Sequence, residues 1–175
     1  MIYAILAALI LTLLLKRNPS KIQHNITLRW SGLIVLCFVI QIILTLIALY
    51  QEQKYEIIFI MTFLGLLIGL IANHSLVGVK WIIVGASLNV LALIVFGGLM
   101  PVSEAAMNMV GQDPTNFSSD SRHQLLQEGE FWWVLADWVP LKPYVMSVGD
   151  IFVGIGFIRF LTVNSPLIKR SGDNS

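Results

Sequence analysis

Five apolar runs, at residues 2–15, 32–50, 57–72, 81–100 and 145–163, constrain this chain more than any other feature. A helix rises 1.5 Å per residue, so roughly 20 residues are needed to cross a hydrocarbon core of about 30 Å. The second, fourth and fifth runs reach that length. The third is marginal and the first short, and both would need a thinned bilayer or burial against neighbours. Composition points the same way: 57% of residues are hydrophobic and 12% charged, with a mean hydropathy of +0.80. An ordinary soluble domain carries about 25% charged residues. The expectation is a single all-α domain over 1–175, a polytopic membrane helical bundle of about five transmembrane helices.

Charge distribution orients that bundle. Lys16, Arg17, Lys21 and Arg29 follow the first run, and Lys169 and Arg170 end the chain. Positive charge marks the cytoplasmic side. The N-terminus and the long loop 101–144 are therefore expected outside, and the C-terminus inside. The first run has no basic residues before it and no small-residue cleavage site after it, so it does not read as a signal peptide. Net charge is +1 and the single Cys37 can form no intrachain disulfide. No P-loop, GxGxxG, HExxH, CxxC or GxSxG pattern occurs. No cofactor, metal or nucleic acid is expected; the expected partners are the lipid bilayer and other membrane proteins.

The loop is more than a linker. Gly97, Gly98 and Pro101 should end the fourth run and turn the chain, and SEAAMNMV can form a short surface helix. Asp120 or Ser121 is placed to cap another short helix through Gln127. Phe131, Trp132, Trp133, Trp138 and Tyr144 have the aromatic density of a headgroup-level segment, an amphipathic or re-entrant cap over the bundle. These tryptophans either anchor the loop or wall a ligand pocket.

Within PYVMSVGDIFVGIGF, Asp150 interrupts an apolar run. Ser147-Val148-Gly149-Asp150 has capping-box spacing, which lets Asp150 face the exposed amides at a helix start. Intramembrane acids also mark working sites. Asp137 and Asp150 could share a proton or activate water, with Asp120 and His123 expected on the same side. Deeper in, Asn89 and Arg159 come to about 16 and 18 Å from the outer ends of their runs, so Asn89 is a candidate partner for Arg159 unless the guanidinium snorkels. Gly85, Ala86, Ser87 and the Gly65-x-x-x-Gly69 pair offer surfaces for close helix packing.

Two segments, LNVLALIVFGGLMPV and LADWVPLKPYVMSVGDIFVGIG, resemble an uncharacterised bacterial domain-of-unknown-function family of small multi-pass membrane proteins. Its pattern falls here on Asn89, Gly97, Gly98, Met100, Pro101, Val102, Asp137, Pro140, Ser147, Gly149 and Asp150, with Phe96 where the pattern has Asn. The resemblance implies a fold and a bacterial cytoplasmic (inner) membrane location, and no activity. MSVGDIFVGIGF is also similar to the last-span segment of lipoprotein signal peptidases, which implies a catalytic role for Asp150. The second aspartate of that family has no matching motif; FSSDSR supplies Asp120 and Arg122 at a different spacing.

The function expected is a non-enzymatic partner- or lipid-binding membrane component with a polar site at its outer face. The candidate catalytic residues are Asp150, Asp137 and Asp120. The candidate binding residues are Gly97, Gly98, Met100, Pro101, His123, Trp133, Trp138 and Ser147, with Asn89 and Arg159 as intramembrane polar groups. A small transporter or sensor is one alternative; an aspartate-dependent hydrolase is another.

Overall fold

In the computed structural model the described residues are 2–24, 26–51, 55–113 and 123–168, with side chains described from residue 6 and not for 22–24 or 48–51. The chain runs α1 (Ile2–Leu14), a 3-10 turn (Pro19–His24), α2 (Ser31–Gln51), α3 (Glu56–Ala72) and α4 (Val79–Val95). It continues through β1 (Met100–Val102), α5 (Glu104–Val110), β2 (His123–Leu125), a 3-10 turn (Trp133–Leu135), β3 (Val139–Leu141), β4 (Tyr144–Met146) and α6 (Val148–Asn164). The five longer helices pack side by side in the order α1, α6, α4, α3, α2.

The expected five-span, all-α transmembrane bundle is corrected on two counts. Among the described residues no helix is long and apolar enough to cross a membrane. Helices α3, α4 and α6 have 17 residues and α1 has 13, which at 1.5 Å per residue gives about 26 and 20 Å, short of roughly 30 Å. The fourth and fifth apolar runs overstate helix length because an end of each is spent on turn and strand, whereas α2 and α3 extend over the whole of the second and third. The fourth run stops being helix at Val95, and the fifth begins only at Val148, after strand β4. The second count is the pair of small sheets. Strand β1 pairs with β2 in parallel, and β3 with β4 antiparallel. The transmembrane and multi-pass description falls with the bundle.

The α4–α6 seam is backbone against backbone. A Cβ on Gly85 would run into the Gly149 carbonyl oxygen and Val153, and one on Gly149 would run into Asn89 and the Gly85 carbonyl. One heptad along, Gly78 and Gly156 meet in the same way, with Gly78 at φ +90. Side chains larger than hydrogen at these four positions would hold the helices apart. The Gly65 and Gly69 surface of α3 is filled by Cys37 and Ile34 of α2, as the small-residue spacing suggested.

Helix ends are tied by polar side chains. Arg17 Nη1 donates to the Val163 and Ser165 carbonyls at 3.0 and 2.8 Å, placing a cation on the C-terminal end of α6. Buried Asn73 donates from Nδ2 to the Arg29 carbonyl at 2.8 Å and accepts the Arg29 N–H at 2.8 Å, so it joins the end of α3 to the entry into α2.

Two substitutions check this account. Gly149→Ala should destabilise by about 1–3 kcal/mol or more through overpacking, read as a lower thermal midpoint. Asn73→Ala should cost about 1–3 kcal/mol, because the residue 29 backbone loses both partners.

Candidate functional site

Four elements converge beside the start of α6. In the α4–α6 register Gly85 lies opposite Gly149, so Asn89, one turn further along α4, faces Ser147 and Asp150. The expected capping box is present: Asp150 N–H donates to Ser147 Oγ at 3.0 Å, and Ser147 N–H donates to Asp150 Oδ2 at 3.4 Å. Asn89 closes the cycle. Its Nδ2 donates to Asp150 Oδ1 at 3.0 Å, and its Oδ1 accepts from Ser147 Oγ at 3.1 Å. Each group fixes the orientation of the next. The suggested Asn89–Arg159 pairing is therefore replaced: Arg159 is exposed and level with the start of α4, at the other end of the seam from Asn89.

Asp137 arrives by a different route. Positive φ at Gly97 and Gly98 turns the chain out of α4 into β1. Asp137 N–H donates to the Pro101 carbonyl and Ser103 N–H to the Asp137 carbonyl, both at 2.8 Å, so the residue lies alongside β1 like a one-residue strand. On the other edge of β1, β2 sets His123 beside Met100. In place of the suggested helix through Gln127 the described residues form a short strand at His123–Leu125, and Asp120 and Ser121 lie outside the described residues. The helix expected in SEAAMNMV is α5, capped by Ser103.

The Asp137 side chain is 6% exposed, and its Oδ1 is buried with no hydrogen-bond partner among the described residues. Burial first, and then the charge of Asp150, push its carboxyl from the ordinary 3.8 up to about 8. Near neutral pH Asp137 thus holds a proton and can donate it.

Asp137 and Asp150 line one cavity of about 510 Å³ together with Asn89, Gly98, Met100 and His123. The opposite wall is contributed by α2 and α3 and includes Phe38, Gln41, Thr45, Phe59 and Phe63. Gln41 donates to Thr62 at 3.2 Å and Thr45 to the Gln41 carbonyl at 2.8 Å, which fixes the few polar groups of that wall. Ser147 stands behind Asp150 and Pro101 is fully buried behind Asp137. Gly97 is an exposed turn residue. Trp133 and Trp138 pack edge to face at 5.6 Å and line a separate trough with Ser103, Ala106 and Phe131. The α2–α3 wall was missed in the sequence. Its only signal is Gln41 and Thr45, four residues apart and so on one helix face.

Linkage follows from the raised pKa. Between pH about 4 and about 8 native Asp137 keeps a proton that the unfolded chain has released, so stability is fullest below that window and falls as pH rises through it. The slope is at most about 1.4 kcal/mol per pH unit. Denaturant titrations from pH 5 to 8.5 should show the decline in the wild type and its loss in Asp137→Asn.

Among the described residues no three His, Cys, Asp or Glu side chains group as a metal site. No solved structure matches the chain. An uncharacterised protein of Thermotoga maritima is 31% identical over 168 residues, covering 93% of this chain and 90% of the relative. Residues 25–162, which hold every group of the cavity described above, match a family of unknown function, and the chain belongs to that family, DUF5317.

Proposed function

We propose that the protein is a non-enzymatic binding component that takes an amphipathic small molecule. Its polar end sits at Asp137, Asp150, Asn89 and His123, and its apolar part lies along α2 and α3. One observation carries the reading: a single cavity is lined at one end by Asp137 and Asp150 and along α2 and α3 by phenylalanine and aliphatic side chains. Its volume of about 510 Å³ is within the roughly 300–1,000 Å³ usual for small-molecule sites, and such sites pair apolar walls with a few convergent polar groups. The Asn89–Ser147–Asp150 cycle is set before any ligand arrives, which reduces the ordering cost of binding.

Hydrolysis by the aspartate pair is the second reading, favoured by the charge coupling of Asp137 to Asp150. Against it, Asp150 already accepts from Asn89 and from the Ser147 amide, so each of its oxygens is already engaged in the helix cap. Transport is opposed by the glycine seam below Asn89, which leaves no width for a polar path between α4 and α6.

The expected bacterial membrane location is retained as lipid association, with no crossing helix among the described residues. It is supported by apolar side chains such as Leu14, Ile57 and Met61, which are 73%, 73% and 63% exposed. Surfaces of this kind seek lipid or a partner.

Thr45→Phe tests the cavity by filling it. A saturable eight-carbon alkyl ligand should bind the variant about tenfold or more weakly, a loss of about 1.4 kcal/mol, with wild-type circular dichroism. Unchanged affinity would sink the reading.

A further inference from the structure

The polar end of the ligand can be read from the charges that surround it. Among the described residues that line the cavity, those able to carry charge are Asp137, Asp150 and His123, with no lysine or arginine. The polar lining from α2 and α4 is neutral: Gln41, Thr45 and Asn89. Helix α3 contributes Phe59 and Phe63, and its nearest acid is Glu56, packed on Gly98. The site is thus weighted toward acid.

The hydrogen-bond inventory has the same sense. A carboxylate offers about four acceptor positions. Among the described residues Asp150 accepts from Asn89 Nδ2 and the Ser147 amide, one on each oxygen. Buried Oδ1 of Asp137 accepts from none of the described residues. Among the described residues this end of the cavity has no lysine or arginine, and His123 is its one imidazole. Apolar neighbours such as Phe38, Ile42 and Leu46 lower the local dielectric and strengthen any ion pair formed there. An anionic head would be repelled by Asp150. A hydroxyl could serve Asp137 but would leave the charge of Asp150 unanswered. An ammonium supplies three donors and no acceptor.

The geometry points to a primary alkylammonium as the ligand class, its head between Asp137 and Asp150 and its chain along α2 and α3. This assignment rests on the cavity being the binding site proposed above. It carries a proton balance. Below pH about 8 the cation offsets what keeps Asp137 protonated, burial first and then the charge of Asp150. The Asp137 proton then leaves to the buffer, the amine keeps its own three, and the seated cation faces two carboxylates.

The test compares octylammonium, octanol and octanoate by isothermal titration of the full chain in one neutral detergent, at pH 7 and 9 and in buffers of different ionisation enthalpy. Octylammonium should bind about tenfold or more tightly than octanol, and octanoate weakest. Its affinity should rise up to about tenfold from pH 7 to 9, with buffer-dependent heat at pH 7 that reports release of roughly one proton. Asp137→Asn should still bind octylammonium but lose the buffer dependence. Two results overturn the assignment. Octanol binding as tightly as octylammonium, with both weakened by Thr45→Phe, refutes the ammonium head and leaves the cavity reading in place. Tighter binding of octanoate does the same. Saturable binding of none of the three removes the cavity reading along with it.

Discussion

The contact of α4 with α6 at Gly85–Gly149 and Gly78–Gly156 is the constraint on which the rest depends. Hydrogen at these four positions lets one helix backbone lie on the other. That closeness fixes the register, and the register decides which polar residue of α4 meets the first turn of α6. Asn89 reaches both Ser147 and Asp150 because Gly149 has no side chain to hold it off. A seam of larger residues would move the amide out of hydrogen-bond range and leave the helix cap without its third member.

The second half of the site is built from backbone. Strand β1 is short, yet it is paired on both edges, by β2 and by the main chain of Asp137. With its amide and carbonyl both bonded, Asp137 is held inside the protein whatever its side chain costs there. The cost is visible as a proton retained near neutral pH. The two acids differ in environment and therefore in role. Asp150 is half-buried and supplied with donors; Asp137 is buried and left with one bare oxygen.

Several features were legible in the chain itself. Ser147 and Asp150 form a capping box because the spacing of the two residues is sufficient to make one. Gly97 and Gly98 end α4, and SEAAMNMV forms a helix, for reasons equally local. The Gly65 and Gly69 spacing announced a close neighbour without saying that Cys37 and Ile34 of α2 would fill it. Hydropathy over-reached at the ends of the fourth and fifth runs: Met100 opens strand β1, and Val145 and Met146 belong to β4.

By itself, then, the sequence determined the helical segments, the turn after α4, the α6 cap and the apolar character of the surface, since each follows from residue type within a few positions of chain. Tertiary structure alone decided that Asn89 serves Asp150 and not Arg159, that Asp137 is buried beside β1, and that Phe38, Gln41 and Thr45 of α2 face both acids across one cavity. Those juxtapositions join residues up to about a hundred positions apart. They are set by helix register and strand pairing, which no local pattern of residues encodes.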